Sequence, residues 1–514
     1  MPTALSSTEV SARAAREPAW CRPIRDVGHL LRFRTAAVRR RSRFWLGIVV
    51  MVSFTVGAAV VPAFVASDDD RRLELAVLLP TAMAGILLIS VVSAIASGGG
   101  RELVAREQGV ALPISPTTDH LGALVLAPLN ISWLIQTWVL LGVTSYVVGP
   151  TTLGTAHVVM LLWVAIATAV AQVIAWSVEA VRRRRHGVAV MRLVVVGLCA
   201  AALVVQLAGL TIDLLDRIPT RWIMLGAFEP LSWRWAQTVG VELLVFAVAV
   251  VVGTVPATYA ARRLPHDELR AETDTHTPRP MPWSDLAALV RIDRASVWRA
   301  VPMRRGMAVL AVGPGLVAVL GNLPWESVII LPGLVVSGGA LLFGVNAWCL
   351  DGRGQLWREN LPVDPGLVFT ARALVLAEFL GFAALVTILL AALRAGLPTA
   401  SELTAILCLL VVVTVQVVGA SMRWSEQRPF SVDLRSARAT PAPPIIMVNY
   451  SARLALVTTL TGLVFSGLSR LSDPTVSVLV AVVFLAWSMT RLLRTRRRWV
   501  DPFQRARVVT TVSA

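Results

Sequence analysis

From residue 44 to residue 493 the chain is cut by short polar turns into twelve apolar runs. They lie at about 44–66, 73–97, 121–148, 156–180, 188–210 and 235–258, then at about 306–322, 328–349, 369–394, 402–422, 446–468 and 475–493. Several reach the roughly 20 residues an α-helix needs to cross a hydrocarbon core about 30 Å thick. In lipid a backbone has to satisfy its own hydrogen bonds, which only helices and closed barrels do. The runs are read as helices. Composition agrees: 56% of the 514 residues are hydrophobic and 15% are charged, where a water-soluble fold carries roughly 25% charge. The expected fold is an all-α polytopic membrane protein with about twelve transmembrane helices.

The formal charge is +17, a balance that elsewhere suggests nucleic acid. Here the Arg residues gather at the ends of apolar runs, where they orient the helices and meet anionic lipid. Membrane lipids are therefore the expected partner, and no nucleic acid is. Arg crowds the N-terminal segment, the VRRRRHG loop at 181–187 and the tail RLLRTRRRWVDPFQRAR. An even number of crossings puts all three on one side, and the positive-inside bias assigns that side, with both termini, to the cytoplasm. The long connection 211–234 carries Trp222 and Trp233, with Trp235 just beyond it, and is read as a cap or re-entrant segment at the interface. Cys21, Cys199, Cys349 and Cys408 are scattered, and the six His are isolated. No disulfide framework, metal site or HExxH motif is indicated. The first 43 residues do not read as a cleaved signal.

Two short patterns occur twice. LPISP at 112–116 and LPVDP at 361–365 each follow an Arg-Glu pair, Arg106-Glu107 and Arg358-Glu359. Likewise, DVGHLLRFRTAAVRR at 26–40 can be laid on DLAALVRIDRASVWR at 285–299. Leu30, Leu31, Arg32 and Phe33 then match Leu289, Val290, Arg291 and Ile292, giving each copy an apolar face opposite Arg. Such a helix would lie along the membrane surface. Each copy precedes the first run of a half, and each LP-x-x-P turn sits between the second and third runs. The chain thus reads as two parallel six-helix repeats. Residues 1–43 are a cytoplasmic N-terminus with a connecting helix, and 44–258 the first half. A linker with the second connecting helix spans 259–305, the second half 306–493, and a basic tail 494–514. One copy of LP-x-x-P would simply end a helix at the membrane edge, since Pro lacks the amide donor. Two copies in equivalent places point to a rigid elbow. Pro113 or Pro362 would end the short helix before it, and Ser115 or Asp364 would cap the helix that follows.

This layout resembles the permease of an ABC exporter of the type-2 class with both transmembrane halves fused. The stretches that carry the likeness are GGGRELVAREQGVALPISPTTDHLGALVLAPLN at 98–130, NAWCLDGRGQLWRENLPVDPGLVFTARALVLAEF at 346–379, and the two surface helices. The resemblance implies the bacterial cell membrane and a short coupling helix in each loop that docks on an ATP-binding subunit. The positions that would do so are Arg106, Glu107, Leu112, Pro113 and Pro116, and in the second half Arg358, Glu359, Leu361, Pro362 and Pro365. The chain has no Lys, so it has no phosphate-binding P-loop. ATP and Mg are therefore expected on a separate subunit, in two copies, with no cofactor and no enzymatic activity in this chain.

A secondary transporter of the six-plus-six type is the rival reading. LDGRGQLWR at 350–358 partly resembles the Asp-Arg-Gly loop of the major facilitators, though the first half has no matching Asp. Ion coupling needs carboxylates inside the membrane, and Glu242 and Glu378 are the candidates. For a substrate path, Asn130, Trp133, Thr137 and Thr144 form one polar stripe, and Thr168, Gln172 and Trp176 another. Such residues either bridge helices or line a cavity. A cavity of this kind would suit an amphipathic drug, natural product or lipid.

Overall fold

The computed structural model describes residues 21–36, 41–65, 69–96, 114–210, 217–262, 280–352, 354–431, 442 and 444–513. Among these every regular element is a helix. Two compact units divide the chain, residues 1–272 and 273–514.

Unit one opens with α1 (Cys21–Ala36), α2 (Arg41–Val60) and α3 (Asp69–Ala96). The chain continues through α4 (Pro116–Leu126), α5 (Ile131–Val148), α6 (Leu153–Arg182) and α7 (Gly187–Leu207). It closes with the short α8 (Thr220–Phe228) and α9 (Trp233–Ala261). Helix α6 is the central element, packed on α3, α5 and α9. Its buried stripe includes Ala156, Met160, Trp163, Ala167, Ala171 and Ala175, the helical repeat of a face turned inward. Small side chains there let the neighbouring helices approach closely, as membrane packing favours. Gly253 of α9 shows how close: a Cβ there would lie 2.5 Å from the His120 ring.

Unit two runs α10 (Asp285–Arg299), α11 (Val301–Leu320), α12 (Trp325–Val328) and α13 (Leu331–Ala340). Then come α14 (Gly354–Glu359), α15 (Pro365–Ala395), α16 (Ala400–Gln427), α17 (Pro444–Leu468), α18 (Thr475–Val500) and α19 (Pro502–Ser513). Its core is one continuous cluster, and among its long spans α15 and α16 are the most enclosed.

Among the described residues seven helices are long and apolar enough to cross a membrane, and nine if each bent pair counts as one span. The chain is a multi-pass membrane protein. Of the twelve apolar runs, those at 44–66, 188–210 and 306–322 fall in α2, α7 and α11, outside that set of nine. Helix α11 carries Arg304 and Arg305 near its start.

The two bent spans have separate causes. Between α4 and α5 the axis turns by 59°, where Pro128 sits in a 3-10 turn over Ala127–Leu129. Past α13 it turns by 41°. There Ser425 of α16 donates to the Gly344 carbonyl at 3.1 Å and accepts from the Ala347 amide at 2.8 Å. A side chain inserted into the helical ladder opens it, and Asn346 departs from helical geometry at that point.

The surface helices share a packing rule, each within its own unit. Val27 of α1 is buried against Leu126 of α4, with Leu30, Leu31 and Leu121 around them. Helix α10 packs likewise on α15. In both units the partner is the helix opened by the last Pro of LP-x-x-P. Of the residues expected on the apolar face, Leu289 is buried, Val290 half-buried and Ile292 exposed, while Phe33 of α1 is exposed. Arg32 is exposed as well, and Arg291 donates to the Pro280 carbonyl at 2.8 Å.

Candidate functional site

The inward stripe of α10 reads Leu289, Asp293, Val297, so a carboxylate occupies a position where an apolar residue is due. Asp293 is fully buried, and a buried charge stays ionised only when paired and hydrogen-bonded. Its partners come from two other elements. Arg372 of α15, itself fully buried, clasps it in a two-pronged contact: Nε to Oδ2 at 3.0 Å and Nη2 to Oδ1 at 3.1 Å. Arg358 of α14 donates to Oδ1 at 2.7 Å.

Asp351 completes the set. It follows the bent end of the second span and accepts from Arg372 Nη2 at 2.5 Å and Arg358 Nη1 at 3.0 Å. Arg372 Nη1 donates to the Ala347 carbonyl at 2.6 Å. Two guanidinium groups thus face two carboxylates, a formally neutral cluster joining α10, the 344–351 turn, α14 and α15. The Arg372 guanidinium also lies 5.5 Å from the centre of the Trp348 ring. Trp348 in turn stacks on Trp499 of α18 at 3.7 Å with planes 3° apart. Cation, ring and ring form one column, at distances where cation–π attraction acts.

The neighbouring Glu359 turns the other way and pairs with Arg505 of α19. On α19, Arg507 donates to the Glu426 carbonyl at the end of α16, and Val508, Val509 and Val512 are buried. The residues after Glu359 hold the elbow. Leu361 and Pro362 are exposed, Asp364 caps α15 by accepting from the Gly366 amide at 3.0 Å, and Pro365 is the first helical residue. Arg496 of α18 donates to the Gly366 carbonyl at 3.3 Å. The second LP-x-x-P turn is therefore tied to α10, α18 and α19 at once.

In unit one, Ser115 caps α4 by accepting from the Thr118 amide at 3.0 Å, and Pro116 opens that helix. Arg106, Glu107, Leu112 and Pro113 lie outside the described residues. The charge cluster has no sequence counterpart there. The positions matching Asp293, Asp351 and Arg372 hold Arg34, Gly99 and Ala123.

The two polar stripes meet within unit one. Trp133 Nε1 donates to Thr168 Oγ1 at 2.9 Å, joining α5 to α6, and Thr137 bonds back to the Trp133 carbonyl at 2.8 Å. At this point the stripes bridge helices. Asn130 stands at the bend between α4 and α5. Gln172 and Trp176 are buried on the inner face of α6, and among the described residues Gln172 Oε1 accepts no hydrogen bond. Glu378 belongs to unit two. It is half exposed and pairs with Arg294 of α10 at 2.7 Å.

Glu242 differs. It lies on the inner face of α9, 1% exposed, and among the described residues neither carboxyl oxygen has a hydrogen-bond partner. Trp235, whose Nε1 donates to the Thr155 carbonyl at 3.0 Å, marks the interfacial end of α9. Glu242 sits seven residues further along, about 10 Å at 1.5 Å per residue.

The Arg-Glu pattern points to Arg358 and Glu359 but not to Asp293 and Arg372. Both are visible as charges where the helical pattern calls for apolar residues. Comparison with family models, curated proteins and solved structures finds no match.

Proposed function

We propose that this chain is the membrane-spanning permease of an ATP-driven exporter, with two six-helix halves fused in one polypeptide. Its cargo is an amphipathic or hydrophobic drug, natural product or lipid. The observation that carries the reading is the elbow at 354–365. It is pinned by Glu359–Arg505 on one side and by Arg358–Asp293 on the other, and it passes directly into α15. Separating one partner of a buried ion pair costs about 3–5 kcal/mol, so α10, α14 and the start of α15 respond to a push as one body. Such a lever needs an engine. With no Lys to hold phosphates, the engine is a separate ATP-binding subunit carrying ATP and Mg, one copy for each half. In this reading the elbow and both termini face the cytoplasm, as the positive-inside bias of the Arg-rich connections favours.

A second reading has its own observation. Glu242, buried and among the described residues without a hydrogen-bond partner, is what proton or cation coupling requires, and it favours an ion-driven transporter. One experiment separates the two: efflux of a fluorescent amphipathic dye from loaded cells, with vanadate, with a protonophore, and with Glu242→Gln. The ATP-driven reading expects vanadate to stop efflux, while the protonophore and Glu242→Gln leave it within about twofold. Efflux that survives vanadate and collapses in the other two arms would replace it with the ion-driven one.

A further inference from the structure

The elbow of unit two carries large apolar side chains that are exposed among the described residues. Trp357 of α14 is 79% exposed, Leu356 and Leu361 are about half exposed, and Phe503 of α19 is 85% exposed. The Glu359–Arg505 pair holds α14 and α19 together, so both aromatic residues belong to the same end of the unit. Exposed aromatic side chains at the membrane–water boundary would normally be assigned to lipid.

Helix lengths argue against lipid here. In α15 the uninterrupted apolar stretch begins only after Arg372 and Glu378, at Phe379. From Pro365 to those two charges is seven and thirteen residues, about 10 and 20 Å along the helix. On α18, the partner that reaches Gly366 through Arg496, the sequence beyond Met489 turns to Arg491, Arg494, Arg496, Arg497 and Arg498. A headgroup layer is only about 5–8 Å deep. Trp357, Leu361 and Phe503 therefore stand at or past the outer edge of the headgroups, on a charged stalk.

The surroundings indicate the partner's chemistry. Arg494, Arg497, Arg498 and Arg507 are exposed around this end. Of its acids, Glu359 pairs with Arg505, Asp364 accepts from the Gly366 amide and Asp501 from the Phe503 amide, while Glu426, near Arg498 and Arg507, is buried. An apolar centre built on Trp and Phe with a basic rim is the anatomy of a protein–protein contact.

We propose that α14 and α19 form one composite docking face, anchored by Trp357 and Phe503, for an apolar cleft rimmed by acidic residues on the ATP-binding subunit. This rests on the exporter reading and adds that the C-terminal helix is part of the contact. The geometry makes Glu359–Arg505 the clamp that keeps the two halves of the face in register.

The test places a photoreactive benzophenone side chain at Trp357, at Phe503 or at the lipid-facing Leu389 in the full-length chain in its own cells. Adducts are identified by mass spectrometry after irradiation. One and the same polypeptide, bearing a P-loop, should be captured from 357 and 503 and not from 389. Capture from 357 alone removes α19 from the face and overturns the composite site while leaving the exporter reading intact. Capture from both by a protein without a P-loop overturns the proposal through the exporter reading. Adducts with lipid, with this chain or with a second copy, or none at either position, also overturn it. Arg505→Glu should lower capture from both positions about fivefold, the value of an ion pair worth about 1 kcal/mol. Adding Glu359→Arg should restore it; a loss that the reversed pair does not repair counts against the clamp.

Discussion

Asp293 and Arg372 bond in a two-pronged fashion although 79 residues separate them. Both side chains are fully enclosed, so neither has water to fall back on when the other is removed. Arg294 and Glu378 make an ion pair between the same two helices, but theirs is half exposed. The contrast yields a measurable difference. Asp293→Asn should cost about 3–5 kcal/mol, whereas Glu378→Gln should cost at most about 1 kcal/mol. Thermal unfolding of the detergent-solubilised protein, followed by Trp fluorescence, reads both. Equal effects would mean that the Asp293 cluster is solvated. Because Asp351 and Arg358 share the site, the Asp293→Asn and Arg372→Met costs should not add.

Whether an element begins and ends where its residues ask depends on local chemistry, and much of that is simple. Thr399 and Glu402 form a capping box at the start of α16, and Asp364 and Ser115 cap the helices opened by LP-x-x-P. Gly187, at the turn between α6 and α7, admits no side chain, since a Cβ would fall 1.8 Å from the Val181 carbonyl oxygen. At the start of α18, Asp473 accepts from the Thr475 amide at 2.9 Å and hydroxyl at 2.7 Å, which lowers its carboxyl below the usual value. A depressed carboxyl contributes its stabilisation above the unfolded value and loses it as pH falls through the folded one. The protection of the Thr475 amide against exchange, relative to an unstructured chain at the same pH, should therefore fall on acidification below the ordinary carboxylate range. Asp473→Asn should remove most of that pH response, and an unchanged response would assign it to another group.

For the whole molecule the controlling quantity is which end of each unit faces the cell interior. The proposed orientation has the elbow inside and the Arg394–Ala400 turn outside. Leu397 in that turn is almost fully exposed. In a background with the four native cysteines replaced, Leu397→Cys should react with a membrane-impermeant maleimide added to intact cells, and Trp357→Cys should react only after lysis. The reverse pattern would invert the topology and remove the elbow from any cytoplasmic partner. Both units place an amphipathic helix against the helix that follows LP-x-x-P. Among the described residues only the second holds a buried charge cluster there, so the two contacts rest on different chemistry.

Membrane class, helical content and the caps at Ser115 and Asp364 were legible in the chain because each depends on residues close in sequence: an apolar run, a Pro, an oxygen two or three residues from an orphan amide. The bend after α13 was not, since it is opened by Ser425, some 80 residues away. Nor were the partners of Asp293, Arg372 and Glu359. A charge in an apolar pattern announces that it must be neutralised, but which opposite charge reaches it depends on which helix faces pack together. That choice belongs to the tertiary structure, because ion pairs act through space over a few ångströms and are indifferent to distance along the chain.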